Sequence, residues 1–344
     1  EHDLLRAETL ARASQGLRTK RNDGAASVLV GALLAEHKFV EAHAVMAAEV
    51  AADSTNAVAR ASLGEIDLEL GRYAEADRLF HSVELQRTSP AIGSRYVRWL
   101  ELNGRPGEAS ALLESIRDEL SRGFRVPAEE RAWFELRIGD LAARNGRGDL
   151  AEQAYARGLA LVPDDARLLT ALALLRANQK AWREAIGLGE RALAGRFDPA
   201  TLALLSDCYA AVGDSGMAEQ YARGMETAIS AVPGGFHRGW ALFLLDHGRR
   251  VTDVLGRAET DLISRKDVYG YDLTGWARFQ AGEVREALPF ADSALMRGTR
   301  DALLYYHAGV IALAAGDSSL ARTRLDTALA NNPRFHPQHA DPAR

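Results

Sequence analysis

The sequence predicts an all-α fold, a solenoid built from repeated pairs of antiparallel helices. The first observation is length, because 344 residues exceed the roughly 250–300 residues that one hydrophobic core usually supports. The second is composition: 47% of the residues are hydrophobic but only 7% are aromatic, and Ala, Leu and Arg dominate, as helices favour. The third is an internal repeat of about 34 residues, which an array that grows lengthwise would explain.

An alanine recurs once in each repeat. Its positions are separated by 34, 33, 42, 34, 33, 69 and 34 residues, and the longest interval is two periods with Asp253 at the missing position. We interpret each alanine as the early residue of a second helix, facing the first helix where a larger side chain has no room. The alanines are Ala42, Ala76, Ala109, Ala151, Ala185, Ala218, Ala287 and Ala321.

A glycine recurs five residues before the alanine. We expect the first helix of each pair to end there, because glycine accepts the left-handed backbone that stops a helix. The second helix ends near a proline in two units, at Pro163 and Pro333, since proline cannot continue a helix. The glycines are Gly71, Gly104, Gly146, Gly213, Gly248, Gly282 and Gly316.

The residues around these positions resemble the tetratricopeptide repeat family, whose period is 34 residues. One unit carries Leu63, Gly64, Gly71, Tyr73, Ala76 and Phe80; a second carries Ile138, Gly139, Gly146, Ala151, Tyr155 and Pro163; a third carries Gly309, Gly316, Ala321, Ala328 and Pro333. The resemblance implies a right-handed superhelix of about nine repeats, in which the first helices of successive units line a concave groove.

The elements are expected in the following order. Residues 1–22 supply an N-terminal capping helix, and residues 336–344 form a solvated C-terminal tail. The solenoid spans residues 23–335, with units at 23–56, 57–89, 90–131, 132–165, 166–198, 199–233, 234–267, 268–301 and 302–335.

Two units depart from the repeat. The interval of 42 residues predicts a longer loop between repeats near Ser121–Ala128. The unit at 234–267 lacks the packing alanine and follows Pro233, Gly234 and Gly235, so we expect a bend near 233–267.

Charge and cysteine content restrict the partners. The net charge of −5 and the pI near 6.0 speak against a general phosphate-binding surface, so no nucleic acid partner is expected. Cys208 is the single cysteine, which excludes an intrachain disulfide, and it is expected to be a buried small hydrophobe. There is no run of 18 apolar residues that would indicate a membrane span.

A second, narrower resemblance bears on localisation. The stretches 269–277, 298–301 and 307–309 resemble functionally uncharacterised bacterial tetratricopeptide proteins that are often predicted to be exported. The chain also begins at Glu1 without an initiator Met. We therefore expect export after removal of an N-terminal signal, with a periplasmic, lipid-anchored or extracellular location; the alternative is a cytoplasmic protein.

Catalytic and metal motifs are not recognisable in the sequence. The nine histidines include no His-Glu-x-x-His and no cysteine partner at zinc spacing. His336 and His339 could hold a soft metal weakly, but a solvated tail is the preferred interpretation. Gly146–Ala151 mimics a dinucleotide fingerprint, yet it follows a helix instead of a strand. The sequence therefore predicts a protein that is not an enzyme and that has no metal site and no cofactor.

The concave groove is where a solenoid is expected to bind, and the resemblance places two sets of side chains there. The first set lies in the third and fourth units, and its arginines could receive an acidic segment through charge-assisted hydrogen bonds: Arg95, Arg98, Arg137 and Arg144, with the acids Glu101 and Asp140. Asp207 and Arg238 face the groove in later units. The second set is aromatic and could anchor an apolar or extended peptide: Tyr269, Trp276 and Tyr306, with Asp272 and His307. Ordinary helix packing or a solvated face is the alternative for each set, and both hypotheses fail if these side chains are buried between repeats.

The most favoured function is a scaffold or adaptor that holds an extended or helical segment of a partner protein in this groove. The alternative is a structural subunit that assembles with itself end to end, since contacts between opposite ends generate filaments or closed homo-oligomers. An enzyme built on Asp272 and His307 is a third hypothesis, without a nucleophile, metal or cofactor in the sequence to support it.

Overall fold

A computed structural model describes residues 2–17, 23–123, 125–230 and 237–344. In these residues α-helices alternate with short turns, there is one 3-10 helix at Glu84–Gln86, and no β-strand occurs. The helices are α1 (His2–Leu17), α2 (Asp23–Ala35), α3 (Phe39–Ala52), α4 (Ala57–Glu69), α5 (Tyr73–Ser82), α6 (Pro90–Leu102), α7 (Pro106–Arg122), α8 (Ala128–Arg144), α9 (Gly148–Leu161), α10 (Ala166–Asn178), α11 (Trp182–Gly195), α12 (Pro199–Ala211), α13 (Ser215–Ser230), α14 (Arg238–Asp246), α15 (Val251–Leu262), α16 (Val268–Gln280), α17 (Val284–Ala294), α18 (Ala302–Ala314) and α19 (Ser318–Asn331).

The helices pack as consecutive pairs. Helix α1 lies on α2, and each pair from α2 with α3 to α18 with α19 forms one unit. The first helices of successive units also contact one another; for example, α14 contacts α16, and α16 contacts α18. The first helices therefore form an inner layer, and the second helices lie outside it. The predicted all-α solenoid of about nine helix pairs is confirmed.

The turn inside each unit is left-handed, as predicted. The seven glycines of the repeat have φ between 62° and 91°. In the two units without this glycine, His37 and Lys180 stand at the same position with φ of 59° and 62°. Since a left-handed backbone costs a non-glycine residue about 1–2 kcal/mol, we expect the surrounding contacts of both side chains to offset that cost.

Close packing inside each unit follows the alanine and glycine positions. The eight repeat alanines are at most 8% exposed. On the first helix, a glycine faces the bulky residue of the second: a methyl group added to Gly64 would lie 3.0 Å from the ring of Phe80, and one added to Gly309 would lie 2.8 Å from Leu325. The repeat alanines of the second helices and these glycines of the first helices therefore set the distance between the paired helices.

The two departures from the repeat have different outcomes. The predicted long loop near Ser121–Ala128 is wrong, because α7 and α8 are 17 residues each and take up most of the extra chain, which leaves only residues 123–127 between them. Pro233, Gly234 and Gly235, on which the predicted bend depends, lie outside the described residues. In the unit that follows them, Val254 and Ala258 are the buried residues of α15.

The second half of the solenoid (α12–α19) packs against the first half (α1–α11). The Tyr73 hydroxyl accepts a hydrogen bond from the backbone N–H of Val268 at 2.8 Å, and Thr299 donates to the carbonyl of Leu102 at 2.7 Å. Val268 is fully buried in the same hydrophobic cluster as Leu102. Contacts between residues about 195 positions apart thus close one superhelical turn.

The contacts between the two halves recur once in each repeat. The left-handed turns at 37, 71, 104 and 146 lie against residues 237, 266, 298 and 332 of the second half. We call Gly71, Gly104 and Gly146 the covered turns. Around Gly213, Gly248, Gly282 and Gly316, the uncovered turns, an added methyl group would have no atom of another part of the described chain within 4 Å. The two edges of the solenoid are therefore not equivalent.

Among the described helices, none combines the length and the apolarity that crossing a membrane requires.

Candidate partner-binding groove

The inner face of the second half holds residues 335–344, which we call the C-terminal segment. Gln338 donates from Nε2 to Oδ1 of Asp207 at 2.8 Å, and Nε2 of His339 lies 2.9 Å from Oδ2 of Asp246. Lys180 donates to the carbonyl of Pro337. The segment thus crosses from the turn before α11, past α12, to the end of α14.

The prediction of a solvated tail is wrong. Pro337 is buried, Ala340 and Ala343 are 4% and 6% exposed, and Ala343 belongs to the core cluster of the second half. Burial of these small apolar side chains, together with the hydrogen bonds to Asp207 and Asp246, holds the segment in the groove. The sequence pattern of isolated histidines and prolines gave no sign of this packing.

The predicted aromatic set lies under the C-terminal segment. The ring of Tyr306 stacks on that of His339, with centroids 4.8 Å apart and an interplanar angle of 18°, and its centroid is 5.4 Å from that of Phe335. Trp276 stacks on His307 at 4.1 Å. Because Trp276 and Tyr306 are only 3% and 7% exposed, the expectation of an open aromatic patch is wrong for both; they contact the chain's own segment instead.

Tyr269, the third aromatic residue of the set, is half-buried between two cations. The guanidinium carbons of Arg98 and Arg238 lie 5.1 and 5.0 Å from its ring centroid. Burial raises the pKa of its hydroxyl. Tyr269 therefore links Arg98, on α6 of the first half, to Arg238, on α14 of the second half.

Asp272 and His307 are brought together, as the enzyme hypothesis requires, but they are buried. Oδ1 of Asp272 lies 2.8 Å from Nδ1 of His307, and Arg238 pairs with the other oxygen. Burial opposes ionisation of Asp272, but His307 and Arg238 outweigh it and lower its pKa. Their exposed fractions are 3% and 1%, so the expectation that they face an open groove is wrong. Nε2 of His307 has no hydrogen-bond partner and is shielded from solvent.

The arginines of the basic set are paired. Arg95 contacts Glu65 at 2.9 Å, and Arg98 contacts Glu69 at 3.4 Å. Arg144 pairs with Glu101, which also lies 3.6 Å from Arg137.

Arg137 lies 4.0 Å from Asp140, which accepts a hydrogen bond from Tyr155 at 3.0 Å. Neighbouring first helices therefore supply a carboxylate to each arginine of this set. Recognition of an acidic segment by this set stays a prediction, and the segment would have to displace these partners.

Two groove residues were missed by sequence reasoning. Asp246 accepts hydrogen bonds from His339 and, at 2.8 Å, from Nε1 of Trp276; these donors outweigh burial and lower its pKa. Lys180 also lies 3.3 Å from Asp341. The signal for Lys180 was present, since it stands at the glycine position of the repeat, but nothing in the sequence distinguished Asp246 from other helix-end acids.

No protein-family model matches the sequence, and a search of the curated proteins gives no match. Solved structures do resemble the chain. PilW, a widely conserved type IV pilus biogenesis factor, is 20% identical over 61% of this chain and 94% of that chain, with a TM-score of 0.49. The human IFIT1 dimer with PPP-AAAA is 14% identical over 81% of this chain and 70% of that chain, with a TM-score of 0.46.

YrrB, a TPR protein with an unusual peptide-binding site, is 15% identical over 59% of this chain and 87% of that chain, with a TM-score of 0.26. For these three structures the identity is at most 20% and the TM-score is below 0.5. Such similarity carries no functional conclusion, and the helix pairing described above establishes the fold.

Proposed function

We propose that the protein acts by binding and not by catalysis, as a scaffold that holds a short non-helical segment of a partner protein on the inner face of α12, α14, α16 and α18. The observation that carries the proposal is the C-terminal segment, which already occupies this face. A surface that accepts one segment of irregular chain has the shape and the hydrogen-bonding groups to accept another.

The side chains of the groove indicate which chemical groups a partner segment would present. Asp207 and Asp246 accept hydrogen bonds from adjacent donors, Gln338 and His339, and the ring of Tyr306 stacks on the second of these. The partner segment is therefore expected to present an amide or cationic donor followed by an aromatic ring or imidazole. Because charge-assisted hydrogen bonds are stronger than neutral ones, a basic donor facing Asp207 is favoured.

The C-terminal segment competes with such a partner. A tethered segment acts at an effective concentration of about 1 mM, so a partner binds the full chain more weakly than a chain without the segment. The groove is otherwise largely preformed by helix packing, which reduces the entropy lost on association.

Affinity capture from the native organism tests this proposal. Three baits are compared: the full chain, a chain ending at Arg334, and the shortened chain with Asp207→Asn and Asp246→Asn. All three must show equal helicity by circular dichroism. We expect one identified partner to be enriched on the shortened chain, weaker on the full chain, and lost from the double variant; the purified partner should then be displaced by a synthetic peptide of residues 335–344.

Two results count against groove binding. Recovery of the same partner equally on all three baits would place its site elsewhere on the molecule. Recovery of only further copies of this chain would instead favour self-assembly.

Self-assembly is a second candidate, favoured by the uncovered turns. Within the chain, Gly71 and Gly104 lie against loops between units of the second half, and Gly146 lies against residues 331–333 at the end of the last helix. The uncovered turns at Gly213, Gly248, Gly282 and Gly316 lack such neighbours. A second copy could place the inter-unit loops of its first half there and continue the superhelix, a heterologous contact that extends into filaments unless it closes.

Leu85, which is 92% exposed, lies between α5 and α6 in the first half, and Phe197, which is 66% exposed, lies between α11 and α12 where the two halves meet. We expect sedimentation at rising protein concentration to show growing mass for the wild type and a constant mass for Leu85→Asp/Phe197→Asp. Ile263→Asp is the control, since Ile263 is 77% exposed on a loop of the second half. A single-chain mass for the wild type at every concentration would rule out self-assembly.

A further inference from the structure

Two imidazoles and a carboxylate converge where the C-terminal segment reaches the end of α14. Asp246, His336 and His339 each offer one ligand atom, and these three atoms lie within 4.8 Å of one another. Imidazole nitrogens and a carboxylate oxygen form a donor set that suits Zn²⁺ and neighbouring first-row transition ions. All three side chains are partly buried, which limits competition from bulk water.

We propose that Asp246, His336 and His339 bind one divalent late first-row transition metal ion, of which Zn²⁺ is the prototype, and that the ion fastens the C-terminal segment to the groove. Three protein ligands leave a fourth position for water. The proposal stands apart from partner binding, because it requires only that the segment lies where the structure has it.

The distances require small movements. Nε2 of His339 is 2.9 Å from Oδ2 of Asp246, whereas two ligands about 2.0–2.1 Å from a tetrahedral ion lie roughly 3.3 Å apart. The rings of His336 and His339 are stacked, with centroids 4.3 Å apart and an angle of 17°. One ring has to turn about its Cβ–Cγ bond so that the lone pairs of both rings meet at the ion. The ion then takes the place of the hydrogen bond between His339 and Asp246, and the proton of that bond is released to solvent.

Neighbouring groups already orient these ligands. Nε1 of Trp276 donates to Oδ1 of Asp246 at 2.8 Å, which turns Oδ2 towards His339. The ring of Tyr306 stacks on His339. Outer partners of this kind fix the orientation of metal ligands and typically affect metal affinity by about 10–100-fold.

His307 adds an independent observation. It is 1% exposed, its Nε2 has no hydrogen-bond partner, and its Nδ1 faces Asp272 at 2.8 Å. The ring centre lies 6.4 Å from that of His339. An ion-bound water between them would supply the missing hydrogen bond.

Zn²⁺ titration of the full, chelator-treated chain by calorimetry tests the site, with Co²⁺ absorption as a second probe. We expect one ion per chain and the intense visible bands of tetrahedral Co²⁺. His336→Ala, His339→Ala and Asp246→Asn should each weaken Zn²⁺ binding by at least about 100-fold. His81→Ala, on the exposed surface of α5, is the matched control and should bind as the wild type does.

A second measurement does not depend on the folding of the variants. Trypsin cleaves after Arg334, which is exposed, and releases residues 335–344. Zn²⁺ should slow this release from the wild type and from Gln338→Ala, which loses its contact with Asp207 but keeps all three ligands. The proposal is overturned if the wild type binds no Zn²⁺ at micromolar concentration, if His81→Ala loses as much affinity as the ligand variants, or if Zn²⁺ leaves the release rate unchanged.

Discussion

The hydroxyl oxygen of Tyr73 accepts a hydrogen bond from the backbone N–H of Val268 at 2.8 Å, across 195 residues of chain. Tyr73 begins the second helix of one unit, and Val268 begins the first helix of another. This contact joins consecutive superhelical turns, and burial of Val268 in the core of the first half accompanies it.

Removal of this hydroxyl tests the closure. We expect Tyr73→Phe to lower the free energy of unfolding by about 1–3 kcal/mol, because the buried N–H of Val268 loses its acceptor. The measurement is urea denaturation followed by circular dichroism. Tyr271→Phe is the control, since the ring of Tyr271 packs on Phe290 within one unit; an equal loss in both variants would contradict a special role for the contact.

The covered and uncovered turns predict a difference between two similar substitutions. Gly104→Ala and Gly213→Ala both place a methyl group on a left-handed backbone, which costs about 1–2 kcal/mol. Only at Gly104 would the methyl also lie 2.5 Å from the carbonyl oxygen of Gly298. We therefore expect Gly104→Ala to be the more destabilising change in urea denaturation, and equal losses would argue against the closed arrangement.

His37 and His237, which meet between the two halves, are expected to make the stability of the fold depend on pH. Nε2 of His37 lies 3.2 Å from Nδ1 of His237, and burial, with the charge of His237 as a smaller cause, lowers the pKa of His37 to about 4. Between pH 6.5 and about 4 the unfolded chain therefore binds a proton that the folded chain excludes. Stability is lost as the pH falls through this window.

Thermal melts at pH 7 and pH 5 measure this loss. His37→Asn should reduce the loss, because Asn tolerates a left-handed backbone and does not titrate, whereas His81→Asn on the exposed surface should leave it unchanged. Asp67 and Asp267, whose pKa values burial raises to about 6, give the opposite slope in all variants, so the difference between variants isolates His37. Identical pH slopes for wild type and His37→Asn would refute the assignment.

Replacement of Lys180 is expected to affect the fold and the C-terminal segment in opposite ways. Its backbone is left-handed, with φ of 62°, while its ammonium group donates to the carbonyl of Pro337 and contacts Asp341. Lys180→Gly should relieve backbone strain and keep or raise the melting temperature, yet speed the tryptic release of residues 335–344. Slower or unchanged release would show that Lys180 does not hold the segment.

The periodic part of the molecule could be predicted from the sequence because its causes are local. A left-handed turn at Gly71 or Gly316 and a buried methyl group at Ala76 or Ala321 require only that two adjacent helices pack. The same local logic placed Asp272 and His307 on adjacent first helices, where the structure brings them into contact.

Other features depend on residues distant in the chain, and repeat position alone does not encode them. The pairing of Arg95 with Glu65 depends on the register between units. The burial of Trp276 and Tyr306 depends in part on where the C-terminal segment turns after α19. The sequence therefore placed these side chains on the inner face but did not indicate that the C-terminal segment occupies that face.

Titration of a labelled peptide of residues 335–344 into a chain ending at Arg334 tests the central claim most directly. Helicity of the shortened chain is checked first, since it retains every described helix. The account predicts saturable binding that is lost with Asp207→Asn/Asp246→Asn and retained with the control Asp118→Asn, whose carboxylate lies on α7. Absence of saturable binding to a fully helical chain, or binding that the double variant leaves unchanged, would contradict a peptide-binding groove on the inner face.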